Sequence, residues 1–246
     1  KLYVDLSGRI EEASAEHNFH YYLAAIANGG FVVVTGLTFR SQALLGMSKL
    51  MSKLGGAPKT MQVDGEGNLN TTIAKNYLEG ARECELITTA AGAHFRNGRI
   101  ERLHQTLKGC VRAMLLHSGL SVKFWYHALQ HAVLIYNLLS IARDDDDREL
   151  DCTVWEHRFG KKPVLNDLLL GPFGCLAYLV LSQEQRQARG LSGHFGVRAL
   201  AGIYLGCVFN PGTGVYEHVI TDGRSFFSSP NHVKVIPDVY PMKFSS

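Results

Sequence analysis

The sequence predicts an α/β protein in which a mixed five-stranded sheet, flanked by helices, is followed by a small all-β domain. Short apolar segments alternate with amphipathic helical segments over the first part of the chain, which favours the α/β class. After Gly171-Pro172 the pattern changes to short strand-like segments separated by turn residues, which favours an all-β domain. We therefore predict a first domain over residues 1–165 and a second over residues 171–240.

The first domain opens with three strand-like segments, the second and third joined by Asn28-Gly29-Gly30, a hairpin signal because Asn and Gly tolerate positive φ. The predicted strands are Leu2–Leu6, Tyr21–Ala27, Phe31–Leu37, Lys59–Asp64 and Cys84–Thr88. The predicted helices are Thr38–Leu54, Thr71–Gly80, Asn97–Ser118 and Lys123–Ala142. This element order is that of the RNase H-like fold, which we expect here. The acidic segment Asp144–Asp147 is interpreted as a solvated loop between helices.

The second domain shows five short strand-like segments, which predict a small barrel. They are Cys175–Leu181, Gly202–Phe209, Val215–Thr221, Ser225–Ser228 and His232–Ile236. A long turn region between the first two contains Arg186, Arg189, His194 and Arg198. This region is interpreted either as a solvated loop or as a patch that contacts a nucleic-acid backbone.

The amino-acid composition limits the classes of protein to which this chain can belong. The chain has 246 residues, of which 46% are hydrophobic and 19% charged, as in ordinary globular proteins. A net charge of +3 means that any DNA-binding surface must be local. The five cysteines are scattered and form no CxxC pair, which fits a reducing compartment. No apolar run reaches the roughly 20 residues of a membrane helix, so no membrane partner is expected. Because the chain begins without Met inside a predicted strand, we expect a longer parent protein.

Three carboxylates are candidate functional residues because of their positions in the predicted strands and helices. Asp5 and Asp64 each end a predicted strand, and Glu101 falls in the first turn of a long helix. Singly, each has an ordinary explanation as a turn residue or as a complement to the helix dipole. Residues 6–63 separate the first pair and residues 65–100 the second. Carboxylates are the hard oxygen ligands that two Mg²⁺ ions require for phosphoryl transfer.

The residues around Glu101 are the most specific part of the sequence. Asn97–Arg102, reading NGRIER, with Gln105-Thr106-Leu107, resembles the NG-x-x-ER-x-x-x-TL signature of copia-type retrotransposon integrases, within the DDE superfamily of retroviral integrases. The spacing of the three carboxylates resembles the D, D, E arrangement of that superfamily. Collinear resemblances follow at Met114-Leu115, Ser118-Gly119-Leu120, Phe124-Trp125, Asn137-Leu138, Phe159–Pro163, Phe173–Tyr178 and Gly202–Gly206.

The resemblance implies an integrase that joins the 3′ ends of element DNA to target DNA, with Asp5, Asp64 and Glu101 binding two Mg²⁺ or Mn²⁺ ions. It implies an SH3-like barrel as the C-terminal domain, double-stranded DNA (element ends and target) as partner, and a homo-multimer. It also implies a nuclear site of action after a cytoplasmic virus-like particle, with a host tethering factor that the sequence does not identify. The family's zinc module would lie upstream of Lys1, so no zinc is expected, and the pairs His17/His20 and His127/His131 are interpreted as structural or surface histidines.

Helical spacing places Glu101, Gln105, Lys108 and Arg112 on one face of the long helix, either as a plain solvated face or as a DNA-binding stripe. We expect seven residues to contact DNA: Arg96, Asn97, Arg99, Arg102, Gln105, Lys108 and Arg112.

Two segments beside the triad depart from the family pattern. Val63–Leu69 reads VDGEGNL where the family has SDNGGEF, and Gly92–Gly98 reads GAHFRNG where it has YTPQQNG. These departures leave open a decayed or repurposed integrase that binds DNA or serves a structural role without catalysis. Metal-dependent nuclease activity is a further alternative on the same fold.

Overall fold

The computed structural model describes residues 1–64, 69–89, 98–144, 146–191, 193, 196–210, 212–230 and 232–244, without the side chains of Asp64, Thr89 and Phe244. The chain divides into two compact units. The first comprises Lys1–Cys110 with Ala132–Pro163, and the second comprises Val111–His131 with Val164–Ser246. Residues 111–131, which the sequence analysis places in the first domain, thus belong to the second unit.

A mixed five-stranded sheet forms the centre of the first unit. Its strands are β1 (Leu2–Leu6), β2 (Tyr21–Ile26), β3 (Val32–Leu37), β4 (Thr60–Asp64) and β5 (Glu85–Thr89). They lie in the order β3-β2-β1-β4-β5. The β1–β2 and β2–β3 pairs are antiparallel, whereas β4 pairs in parallel with both β1 and β5. The predicted mixed sheet is confirmed, strand by strand.

Helices flank this sheet, as the RNase H-like fold requires. They are α1 (Ala43–Lys53), α2 (Thr72–Asn76) with a following π-helical turn (Tyr77–Ala81), α3 (Gly98–Ser118), α4 (Trp125–Leu139) and α5 (Val154–Phe159). Helix α1 buries Met47 and Leu50 against the sheet, and Gly46 allows a close approach, because a Cβ there would collide with Leu23. No helix in the described ranges combines the length and apolarity needed to cross a bilayer.

Side chains from two helices cover the free edge of β3. The Asn137 side chain accepts a hydrogen bond from the Val32 N–H at 2.8 Å and donates one to the Val32 carbonyl, also at 2.8 Å. Lys53 Nζ donates to the Val34 carbonyl at 2.7 Å. These bonds satisfy backbone groups that point away from β2 and would otherwise be available for pairing with another chain.

A hairpin follows α4 where the sequence analysis expected only a loop. Its strands are β6 (Ile141–Arg143) and β7 (Glu149–Thr153), in which Arg143 lies opposite Glu149 and forms an ion pair with it. The acidic segment forms the turn of this hairpin, with Asp145 outside the described residues. Helix α4 therefore ends at Leu139, earlier than expected.

The second unit contains a five-stranded antiparallel sheet. Its elements are α6 (Leu165–Leu168), β8 (Leu176–Val180), α7 (Gln183–Ala188), β9 (Ala199–Asn210), β10 (Val215–Thr221), β11 (Phe226–Ser229) and β12 (Val233–Ile236). The strand order is β11-β10-β9-β8-β12. All five predicted strands are present. Helix α7 occupies part of the predicted turn region, and a capping box between Ser182 and Gln185 begins it.

Buried histidines sit in the core of the second unit. The Tyr204 hydroxyl lies 3.0 Å from His218 Nδ1, and His218 Nε2 lies 3.0 Å from the Asp167 carbonyl oxygen. His131 of α4 packs edge-on against Tyr204 and beside Gly206 of β9. Burial, aided by the nearby His218, lowers the pKa of His131 from 6.5 to about 4, so the ring is neutral at pH 7.

Candidate active site

The strand register brings two of the predicted triad residues to the same level. In the parallel β1–β4 pair, Leu2 lies beside Met61 and Tyr3 beside Gln62. Two residues further along each strand come Asp5 and Asp64, the last residue of β4. The two backbone positions are therefore neighbours at the ends of adjacent parallel strands, where open sheets place ligand-binding groups.

The Asp5 carboxylate is held on one side and open on another. Its Oδ1 accepts a hydrogen bond from the Leu6 N–H at 2.8 Å, and its Oδ2 lies 3.3 Å from His104 Nε2. The Asp5 side chain is 32% exposed. A carboxylate oriented in this way keeps lone pairs available to an incoming cation.

His104 connects Asp5 to the interior of the sheet. The ring is buried, and its Nδ1 lies 2.8 Å from the hydroxyl oxygen of Tyr22 on β2. Burial, followed by the Asp5 charge, raises the pKa of Tyr22 well above its ordinary value, so the hydroxyl stays protonated at neutral pH. The other ring nitrogen, Nε2, faces Asp5 and makes no hydrogen bond among the described residues.

Glu101 lies on the same face of α3 as His104. The two residues are three positions apart, so their side chains are neighbours on the helix surface. Glu101 is exposed, whereas His104 is buried against Asp5 and Tyr22. The face of α3 that contacts Asp5 therefore also carries the third predicted carboxylate, in the first helical turn.

The predicted DNA-contacting residues fall into three groups. Gln105, Lys108 and Arg112 are exposed along α3, at helical positions that share the face of Glu101. Arg99 and Arg102 instead line a pocket on the opposite face, together with Leu103 and Thr106. Arg96 and Asn97 lie outside the described residues.

The basic residues of the predicted turn region in the second unit are spread over different structures. Arg186 and its neighbour Arg189 lie at α7, where the Arg189 guanidinium stands 5.4 Å from the centre of the Phe227 ring. Arg198 precedes β9, and His194 lies outside the described residues. A backbone-contacting role for this region stays a prediction.

The donor chemistry of the site suits a hard divalent cation. Asp5 and Glu101 offer carboxylate oxygens, the preferred ligands of Mg²⁺ and Mn²⁺, whereas zinc sites favour Cys and His. Among the described side chains, which do not include that of Asp64, no group of three His, Cys, Asp or Glu residues could hold a metal ion. The triad as a metal site therefore stays a prediction, one that the backbone register and the helix face fit.

The sequence analysis missed His104 and Tyr22. For His104 a signal was available, because it lies one turn after Glu101 on the same helix face and could have been assigned to the site. Tyr22 offered none, since its contact joins residues 82 positions apart.

Comparison with known proteins supports the fold. No family model matches the chain, and neither does any curated protein. Among solved structures, the chain is similar to a chain of the cryo-EM structure of the simian T-cell lymphotropic virus intasome in complex with PP2A regulatory subunit B56 gamma. The match has a TM-score of 0.51 and 14% sequence identity, and it covers 95% of this chain and 77% of that one. The chain thus has an integrase-like fold.

Proposed function

We propose that this protein is a DDE-type polynucleotidyl transferase of a copia-type retroelement, which joins the 3′ ends of element DNA to target DNA. The observation that carries the proposal is the contact between Asp5 and His104. Through it, the helix that bears Glu101 is held against the strand end that bears Asp5, beside the backbone position of Asp64. The integrase-like fold supports the same reaction class.

In this proposal Asp5, Asp64 and Glu101 hold two Mg²⁺ or Mn²⁺ ions. When bound, such ions activate the attacking 3′ hydroxyl and stabilise the leaving oxygen of an in-line displacement. The Leu6 N–H orients the Asp5 carboxylate through a hydrogen bond to Oδ1, while His104 Nε2 packs beside Oδ2 at 3.3 Å without a hydrogen bond. The chain's own contribution is thus to orient the Asp5 carboxylate before DNA arrives.

The exposed stripe on α3 is the proposed contact surface for the DNA end. Lys108 would contact a phosphate as a point charge, and Gln105 would hydrogen-bond to a sugar, phosphate or base edge. Both lie on the face of Glu101, so DNA bound to them would run past the metal-binding carboxylates. We further propose an SH3-like barrel in the second unit, assembly as a homo-multimer on paired DNA ends, and action in the nucleus after a cytoplasmic virus-like particle stage.

Two measurements on wild type and Glu101→Gln test the enzymatic proposal. Calorimetric titration with Mn²⁺ is expected to show two ions per wild-type chain and loss of at least one in the variant. A strand-transfer assay with duplex oligonucleotides and plasmid target is expected to show product for wild type alone. Glu184→Gln is the matched control, because Glu184 is also an exposed first-turn glutamate but lies on α7. It should behave as wild type in both measurements.

The altered segments around Asp64 and before Gly98 favour a second candidate, an integrase-derived module that binds DNA without catalysis. It predicts that wild type and Glu101→Gln bind duplex DNA equally and that both are inert in strand transfer. That outcome, with no Mn²⁺ bound at millimolar concentration, would exclude the enzymatic proposal.

A further inference from the structure

A pocket of about 530 Å³ lies in the first unit, and neither Asp5 nor Glu101 lines it. Three arginines, Arg99, Arg102 and Arg143, line it, together with one acidic residue, Asp147. The other lining residues are Ile26, Gly30, Leu103, Thr106, Tyr136 and Ile141. The ionised lining residues therefore carry an excess of positive charge.

The α3 residues that line the pocket lie on a different side of the helix from Glu101. Arg99, Arg102 and Thr106 recur at helical spacing on one side of the helix, while Glu101 and His104 share the other. Neither Asp5 nor Glu101 is among the residues that line the pocket. A ligand bound there would occupy a separate site.

Asp147 sits between two of the arginines without pairing closely with either. Its Oδ2 lies 4.0 Å from Arg102 Nη2 and 3.9 Å from Arg143 Nη1, and its side chain is 52% exposed. Solvent-exposed ion pairs at such distances contribute little stability. An anion that makes shorter, bidentate hydrogen bonds to the guanidinium groups can therefore displace this carboxylate.

Asp147 is held in place by its backbone rather than by its carboxylate. It adopts φ of 65°, its N–H donates to the Asp144 carbonyl at 3.2 Å, and its own carbonyl accepts from Arg143 Nη1 at 2.9 Å. The carboxylate is thus positioned by the hairpin turn. Its removal leaves the backbone anchor intact.

We propose that this pocket binds a phosphate group of a nucleic-acid backbone, and that Asp147 is a built-in competitor that occupies the phosphate position when no nucleic acid is bound. The anion chemistry follows from the arginines, whereas the choice of nucleic acid rests on the proposed function. Arg102 and Arg143 are 69% and 41% exposed. Such open rim charges suit a polymer backbone better than a small molecule, which pockets usually enclose.

The test compares Asp147→Asn with Asp146→Asn in a buffer containing EDTA. Both variants remove one negative charge from the same turn, but among the described residues the Asp146 carboxylate pairs with Arg148 at 3.6 Å, and Asp146 does not line the pocket. Asparagine accepts positive φ readily, so Asp147→Asn should fold normally, which circular dichroism and thermal unfolding verify. The probe is a labelled duplex of about 20 base pairs, followed by fluorescence anisotropy over a series of salt concentrations.

The proposal predicts that Asp147→Asn tightens duplex binding by about threefold or more at low salt, while Asp146→Asn changes it by less than about 1.5-fold. Arg102→Gln should weaken binding and reduce the slope of log K against log salt by about one. Equal effects of the two asparagine variants would overturn the proposal, because they would reveal only a general charge effect. No gain with Asp147→Asn would overturn it as well.

Titration with inorganic pyrophosphate distinguishes the ligand source. If Asp147→Asn tightens pyrophosphate binding but leaves duplex binding unchanged, the assignment to nucleic acid is overturned and the pocket takes a small phosphorylated molecule. Because the buffer contains EDTA, the result does not depend on metal binding by Glu101. A gain in duplex binding by Asp147→Asn in a protein inert in strand transfer would preserve this proposal while the enzymatic one fails.

Discussion

His104 Nε2 lies 3.3 Å from Asp5 Oδ2, so the helix that carries Glu101 contacts the strand end that carries Asp5. The same ring reaches Tyr22 through Nδ1 at 2.8 Å. Two strands and one helix are thereby joined through a single imidazole. Polar contacts of this kind fix a helix against a sheet more specifically than apolar packing alone.

The first prediction concerns the coupling of Tyr22 to His104. Tyr22→Phe should lower the free energy of unfolding by about 1 to 2 kcal/mol, because it leaves the buried His104 Nδ1 without this hydrogen bond. In a double-mutant cycle with His104→Leu, the coupling should be about 1 kcal/mol. Urea denaturation measures both quantities.

Tyr21→Phe is the control for this cycle. Tyr21 is half-buried on the same strand, and its hydroxyl takes no part in the His104 contact. It should change the free energy of unfolding by less than about 0.5 kcal/mol. A coupling near zero between Tyr22 and His104 would show that their proximity does not stabilise the fold.

The sequence predicted the sheets well because each strand has its own local signal. The Asn28-Gly29-Gly30 turn, flanked by apolar β-branched residues, sufficed to predict β2 and β3. The β6–β7 hairpin escaped prediction because four consecutive aspartates look like a solvated loop. The contact that stabilises it, between Arg143 and Glu149, lies across the strands. Helix α7 escaped for a related reason, since a short polar helix has no apolar periodicity.

The candidate site was predictable only as a set of residue types. Asp5, Asp64 and Glu101 stood out by position and by family resemblance, but their mutual placement depends on strand register and helix packing. The placement of Glu101, Gln105, Lys108 and Arg112 on one face of α3 followed from spacing. That Arg99 and Arg102 lie beside Asp147 did not, because the hairpin that brings Asp147 to them was not predicted.

The second prediction concerns the edge of β3. Asn137→Leu should lower the free energy of unfolding by about 3 kcal/mol, because it leaves both the N–H and the carbonyl of buried Val32 without their partner. Fluorescence of Trp155 in a Trp125→Phe background reports on the first unit in urea denaturation.

Leu139→Asn serves as the comparison for that measurement. Leu139 is 59% exposed near the end of the same helix, so its substitution should change stability by less than about 0.5 kcal/mol. If Asn137→Leu changed the free energy of unfolding as little as Leu139→Asn, the two hydrogen bonds to Val32 would not be what stabilises the edge of β3.

The third prediction is a loss of stability of the second unit in acid. His131 has its pKa lowered from 6.5 to about 4 by burial and then by His218. Between pH 6.5 and about 4 this histidine is protonated in the unfolded chain but not in the folded chain. Its contribution to the free energy of unfolding is therefore fully present above pH 6.5 and is lost as the pH falls towards 4. The loss from this residue is on the order of 3 kcal/mol. Fluorescence of Trp125 in a Trp155→Phe background reports on this unit.

His131→Leu should flatten this pH dependence while changing stability little at pH 7. Its Nδ1 has no hydrogen-bond partner among the described residues, so the substitution breaks no hydrogen bond at that atom. His232→Gln, at an exposed position, should keep the wild-type slope. A slope unchanged by His131→Leu would mean that other groups cause the acid sensitivity.

The fourth prediction separates backbone strain from steric contact at Gly206. This glycine has φ of +98°, and an added Cβ would lie 2.5 Å from His131 Nδ1. Gly206→Ala should therefore cost about 3 kcal/mol, from strain and overpacking together. Gly214 has φ of +71° with nothing within 4 Å of an added Cβ, so Gly214→Ala should cost only the strain, about 1 kcal/mol. In a His131→Ala background the cost of Gly206→Ala should fall but stay above that of Gly214→Ala, because the ring is gone while the Cβ of residue 131 still lies 2.9 Å from the added Cβ. Urea denaturation followed by Trp125 fluorescence measures the free energy of unfolding of all these variants. If Gly206→Ala and Gly214→Ala cost the same in the wild-type background, the His131 ring moves aside at no cost in free energy.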